Sequence, residues 1–291
     1  MPQRVEFWGD LGKLVGHLRL PESASATPRP CVVLCAGMSL TKEVWLPAHA
    51  EQFVAAGFAT LNFDYSTFGE SDGQPRCRLH CAQQVRDTQA AISYVASLPE
   101  VDAARIALYG VSLGASVAIA TAGRDRRVRA AVAVAGPMDL HRVWRGFDGF
   151  DAFAAKVARA RTRFTATGEV SYIAVPRLLA SDPETAALLQ AEAPKYPTWR
   201  QEVSFESLAD LFAFRPEEEA PHARGALLFV YPEKDELIAR FEMQSAYSRA
   251  GGPAKLVALK GAHHVDVYKR EGAFDEVVTT ALAWYRRYVT G

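Results

Sequence analysis

Arg105-Ile106-Ala107-Leu108-Tyr109-Gly110-Val111-Ser112-Leu113-Gly114-Ala115-Ser116 joins an apolar strand to a helix of small residues through a turn centred on Ser112. Arg105–Tyr109 reads as a buried strand, and Gly114–Thr121 opens the helix. Between them, Gly110-Val111-Ser112-Leu113-Gly114 has the spacing G-x-S-x-G. Alone, that spacing arises often by chance. Its context gives it chemical meaning: a strained strand-to-helix elbow needs small neighbours and lifts the serine Oγ above a sheet. The helix N-terminus there favours developing negative charge. Ser112 is therefore the candidate nucleophile. The competing reading is an ordinary Gly/Ser turn in a doubly wound sheet.

Outward from the elbow, strands alternate with helices. Arg4–Trp8 and Leu14–Leu20 read as an antiparallel hairpin, and Cys31–Cys35 as a short apolar strand. A helix over Trp45–Ala56, a strand over Ala59–Phe63 and a helix over Ala82–Ser97 follow. Val128–Ala135 is another apolar strand. Such alternation predicts an α/β fold with a mostly parallel central sheet flanked by helices. From about Gly136 to Ala220 the rhythm stops, and the composition becomes helical, proline-broken and aromatic-rich. It resumes with a strand at Ala226–Tyr231, a helix near Ile238–Ser248, a strand at Lys255–Leu259 and a helix around Phe274–Tyr288. The expected organisation is one core, residues 1–136 and 221–291, interrupted by a helical cap over 137–220.

A serine hydroxyl needs a base to take its proton, and that base needs an orienting acid. After a nucleophile elbow these follow in the order acid, then histidine, each just beyond a late strand. Ala226–Tyr231 leads into Pro232-Glu233-Lys234-Asp235-Glu236, where Asp235 is the preferred acid and Glu233 and Glu236 are near competitors. Lys255–Leu259 leads into Gly261-Ala262-His263-His264, where His264 is the preferred base and His263 the alternative. Oxyanion donors are expected from the backbone N–H of Leu113 and, after the first parallel strand, of Met38, with Gly37 easing the turn. Among the cap aromatics, Trp144, Phe147 and Tyr172 are expected to face the active site, while most others pack within the cap.

Val32-Val33-Leu34-Cys35-Ala36-Gly37, Gly57-Phe58-Ala59, Asn62-Phe63-Asp64-Tyr65, Phe68-Gly69-Glu70-Ser71-Asp72-Gly73 and the elbow together resemble the α/β-hydrolase superfamily. Within it, the chain is similar to dienelactone-hydrolase-related esterases and polyketide-transferase-like hydrolases. Gly261-Ala262-His263-His264-Val265-Asp266-Val267-Tyr268 resembles that group's terminal histidine motif, which implies His264 as the catalytic histidine. Trp199–Ser207 resembles its cap. Relatives often carry Arg-Gly after Asp64-Tyr65, whereas this chain has Ser66-Thr67, so substrate contacts near that loop do not transfer. Asp64 is expected to accept backbone hydrogen bonds in its turn.

The remaining features bound the function. Lys plus Arg and Asp plus Glu both number 33, which offers no electrostatic case for nucleic acid or an anionic membrane. No apolar run approaches the roughly 20 residues of a membrane span, and Met1–Asp10 lacks the pattern of a signal peptide. Cys31/Cys35 and Cys77/Cys81 do not match zinc-ligand spacings and read as buried thiols, so a reducing, cytoplasmic setting is expected. No metal or organic cofactor is expected. A carboxylate at position 112 would be needed for dehalogenation, and no G-x-G-x-x-G follows the first parallel strand. The leading expectation is hydrolysis of an ester or thioester on a small-molecule or carrier-bound acyl substrate. An acyltransferase or cyclase, a carbon–carbon bond hydrolase, and a non-catalytic binding protein are the alternatives; a homodimer is left open.

Overall fold

The computed structural model describes residues 2–22, 27–268 and 272–291. Ten strands are present among them: β1 (Gln3–Gly9), β2 (Gly12–Arg19), β3 (Arg29–Cys35), β4 (Ala59–Phe63), β5 (Val101–Val111), β6 (Val128–Val134), β7 (Tyr172–Ala174), β8 (Glu202–Ser204), β9 (Ala226–Pro232) and β10 (Ala254–Leu259). Eight form one sheet in the order β1-β2-β4-β3-β5-β6-β9-β10. The six from β4 to β10 run parallel, and β1 and β2 close one edge antiparallel. The α/β expectation holds.

The sequence pattern explains this division. Central strands covered on both faces need apolar residues throughout, and Pro30 to Cys35 and all of β4 are buried. At the edge, β1 alternates exposed and buried residues over Arg4–Phe7, as a strand with one solvated face should. β5 extends further than expected, from Val101, because its first turn of sequence is half-exposed and lacks an apolar run.

The helices that flank the sheet are α1 (Leu46–Ala55), α2 (Cys81–Ala96), α3 (Leu113–Arg124), α9 (Arg240–Arg249) and α10 (Phe274–Tyr285). Between β6 and β9 lie α4 (Leu140–Arg145), α5 (Phe150–Thr167), α6 (Val175–Leu178), α7 (Pro183–Glu192) and α8 (Leu208–Phe212). That segment is not wholly helical: β7 and β8 pair antiparallel as a separate two-stranded sheet. Three residues per strand are too few for a period-two pattern to register in sequence. Four aromatic rings, Trp144, Phe150, Phe153 and Phe212, pack against one another there, Trp144 stacked on Phe153 and the other pairs tilted or edge-on. No helix among the described residues is long and apolar enough to cross a membrane. All four cysteines are free and buried, and burial pushes the Cys31 and Cys35 thiols up to about 12.

Candidate active site

The loops that leave β3, β5, β6, β9 and β10 at their carboxyl ends carry every residue of the expected chemistry. Open parallel sheets bind ligands at this edge because strand ends and helix N-termini converge there.

Ser112 follows β5 at φ 55° and ψ −128°, a conformation that L side chains rarely adopt. Its N–H donates to the Val134 carbonyl at 2.9 Å, and its own carbonyl accepts from Ala115 N at the start of α3. The Ser112 side chain makes no helix-capping bond, which leaves Oγ for other chemistry. The flanking glycines are required sterically. A Cβ on Gly110 would overlap the Gly114 carbonyl, and a Cβ on Gly114 would overlap the Cys35 carbonyl at the end of β3.

Asp235 and His264 meet although 29 residues separate them: Nδ1 of His264 lies 2.8 Å from Oδ2 of Asp235. The other carboxylate oxygen accepts from the backbone N–H of Leu237 and Ile238, at 3.0 and 2.8 Å, which fixes the carboxylate plane. Burial pulls the His264 pKa down, but the charge and hydrogen bond of Asp235, helped by Asp182 at the start of α7, outweigh it and raise it. The alternatives go elsewhere. His263 caps the short turn His264–Val267, in a reciprocal pair with Asp266. Glu233 is exposed and accepts from Gly261 N, and Glu236 is also exposed.

The turn that bears His264 ends at Tyr268, whose hydroxyl lies within hydrogen-bonding reach of the Ser112 side chain. One short segment thus bonds to Asp235 through His264 and turns its Tyr268 hydroxyl toward Ser112 and Gly37. Tyr268 closes the terminal histidine motif in the sequence, and the spacing there does not mark its side chain as part of the site.

A cavity of about 50 Å³ opens onto Ser112, bordered by Met38, Leu113, Pro137, Leu140, Val143, Trp144, Phe147, Leu178, Leu179, Leu237 and Ile238. Met38, Leu113, Trp144 and Phe147 are among these bordering residues. Tyr172 is not. Its ring is 39% exposed and lies beneath the Arg200 guanidinium at 5.1 Å, outside the cavity wall. The reason is local: Tyr172 starts β7, whose first and last residues are exposed. Leu178, at the end of α6, and Leu179 after it line the cavity instead. The wall residues Leu237 and Ile238 are visible in the sequence as an apolar pair shortly after Asp235 in a polar loop.

Two buried ionic groups hold this architecture. Lys42 has a fully buried ammonium between Asp64, Glu43 and Glu70, with Nζ···O distances of 2.8, 2.6 and 2.5 Å. Burial would drive its proton off, but the facing carboxylates outweigh that and raise its pKa. Asp64 also accepts from the backbone N–H of Lys42 and Glu70, so the expected turn role holds and an ion pair is added to it. This clamps the loop after β3, which carries Met38, to the end of β4. On the other side, Arg142 of α4 meets Glu242 at 2.6 Å and Glu217 at 3.0 Å. Glu242 also accepts from Met138 N and Asp139 N, tying α4 to α9 of the core.

The family model of the alpha/beta hydrolase family matches residues 32–278. The chain belongs to that family. The polyketide transferase claH of Penicillium crustosum is 26% identical to this α/β hydrolase over 284 residues, 93% of this chain and 92% of its own. The thiohydrolase aneE of Aspergillus aculeatus is 35% identical over 122 residues, 42% of this chain and 37% of its own. A solved structure of DcsB in complex with its substrate analogue superposes with a TM-score of 0.86 at 25% identity, covering 100% of both chains. The resemblance read from the motifs is thereby shown at the level of fold and family.

Proposed function

We propose that this α/β hydrolase is a serine hydrolase that cleaves an ester or thioester through an acyl-enzyme on Ser112. The observation that carries the reading is the strained Ser112 backbone at the mouth of an apolar cavity, beside a turn whose histidine is held by Asp235.

With Nδ1 bonded to Asp235, Nε2 is the His264 nitrogen left to take a proton. Ser112 Oγ attacks the carbonyl carbon as its proton passes to Nε2, and the C=O π pair moves onto oxygen. Backbone N–H groups of Leu113 and Met38 stabilise that oxyanion, in a water-poor setting where such donors count most. Collapse expels the alcohol or thiol, which takes the proton from His264. Water then repeats the sequence on the acyl-enzyme, with His264 again as base. No cofactor takes part.

The acyl group belongs in the cavity. Its walls are apolar apart from Ser112 itself, which favours an aliphatic or aryl chain. Its volume of about 50 Å³ suits a short chain, since pockets for drug-sized ligands run to roughly 300–1,000 Å³. A second reading, transfer of the acyl group to an alcohol or amine instead of water, draws support from the similarity to the polyketide transferase claH.

An active-site-directed fluorophosphonate tests the first reading. It should label the wild type at Ser112 and leave Ser112→Ala unlabelled; equal labelling of both defeats the assignment. Product analysis with and without added alcohols or amines separates hydrolysis from transfer.

A further inference from the structure

Tyr268 takes no part in the proton transfers between Ser112 and His264, yet it stands beside the loops that carry them. Its ring is buried and packs on Trp45, with centroids 4.7 Å apart. Its hydroxyl is within hydrogen-bonding reach of the Ser112 side chain and 3.3 Å from where a Cβ on Gly37 would stand. The phenol therefore fills the corner between the nucleophile and the loop that carries Met38. Burial, with the Asp235 charge nearby, holds its ionisation well above the ordinary phenol value, so it acts as an O–H donor at any working pH.

We propose that Tyr268 is a third oxyanion donor, a side-chain O–H that acts beside the backbone N–H groups of Leu113 and Met38. The proposal rests on Ser112 being the nucleophile. As Oγ bonds to the carbonyl carbon and the π pair moves to oxygen, the serine proton goes to His264. Tyr268 donates a hydrogen bond to the new O⁻ and keeps its own proton. When the adduct collapses, the pair returns to the carbonyl, the leaving group takes the proton from His264, and the phenol bond weakens. A donor that strengthens only as charge develops lowers the barrier without tightening substrate binding. The glycine at position 37 fits this role, because a side chain there would crowd the Tyr268 hydroxyl.

Tyr268→Phe keeps the ring against Trp45 and removes only the donor. With p-nitrophenyl acetate and butyrate as probes, kcat should fall about 10²–10³-fold, the cost of one oxyanion donor. KM should change by less than about threefold, as expected when an interaction exists only in the transition state. Phosphonylation of Ser112 by the fluorophosphonate should slow in parallel, and the midpoint of the rising pH limb should stay in place. A kcat within about threefold of wild type, an effect on KM alone, or a displaced pH midpoint overturns the proposal. Should Tyr268→Phe fail to fold, Gly37→Ala gives an independent reading: crowding the hydroxyl should lower kcat about tenfold or more, and an unchanged kcat counts against the proposal. Wild-type protein that the fluorophosphonate does not label at Ser112 overturns the serine mechanism and this inference with it. Labelled, active wild type with an unimpaired Tyr268→Phe overturns this inference alone.

Discussion

Oδ2 of Asp235 lies 2.8 Å from Nδ1 of His264, and both side chains are only 2% exposed. This contact sets the pH dependence of the proposed reaction. Only neutral His264 can accept the serine proton, and its pKa is raised above the ordinary value of about 6.5. The rate constant kcat/KM should therefore rise with pH along a limb centred above about 6.5. Asp235→Asn removes the charge that raises the pKa, so the midpoint should move down while kcat falls by on the order of 10³–10⁴. A pH–rate profile of both proteins checks the two effects separately. The same shift stabilises the fold below the unfolded histidine pKa, and that stability is lost as pH rises through the folded value.

Gly114 approaches the Cys35 carbonyl so closely that no side chain fits between them. Gly114→Ala must separate α3 from β3, at a cost of about 1–3 kcal/mol for overpacking or more, since the obstacle is backbone. Chemical denaturation should show the lower midpoint, and residual folded protein should lose activity because the elbow itself has moved. Alanine at Gly57, where a Cβ meets no neighbouring atom although φ is +94°, provides a control for backbone strain without collision.

Lys42 and Asp64 are both fully buried, and each is the other's main counter-charge. Lys42→Met leaves the Asp64 carboxylate in the interior without its cation, which should cost about 3–5 kcal/mol. Thermal denaturation measures this loss. Lys42→Met/Asp64→Leu, which removes both charges, should recover part of it, because the penalty of an uncompensated buried charge disappears.

Arg142 binds Glu217 and Glu242, and through them fixes the helix whose Leu140, Val143 and Trp144 wall the cavity. Glu242→Gln keeps the side-chain volume and removes the charge from this latch. KM for p-nitrophenyl butyrate should rise more than kcat falls, since the wall loosens while Ser112 and His264 stay in place. Equal effects on acetate and butyrate esters would show that α4 does not sense the acyl chain.

Trp144 is the largest side chain on the cavity wall. Trp144→Ala should shift preference toward longer acyl esters, by about tenfold or more in the octanoate-to-butyrate ratio of kcat/KM, the scale on which apolar pockets discriminate methylenes. A series of p-nitrophenyl esters gives the ratio directly.

The core of the fold was legible because its signals are local. A parallel strand covered on both faces must be apolar along its length, so β3, β4 and β6 announce themselves. The elbow is equally local: glycine is the residue that fits at 110 and 114 against the neighbouring carbonyls, and the two frame a serine held at φ 55°. β7 and β8 were illegible because three residues carry no period, and the exposure of Tyr172 follows from that missed strand.

Sequence alone pointed to the family, to Ser112 as the proposed nucleophile, and to the two loops that carry Asp235 and His264. Tertiary structure decided which side chains meet: His264 on Asp235 while His263 caps its own turn, Leu178 and Leu179 on the cavity in place of Tyr172, Lys42 on Asp64, and the Tyr268 hydroxyl beside Gly37. The physical reason is one of range. Residue type and periodicity govern torsion angles and which face is buried, quantities set within a few residues. A contact between positions 235 and 264 depends on how two strand ends and the loops beyond them converge in space, and no local pattern encodes that distance.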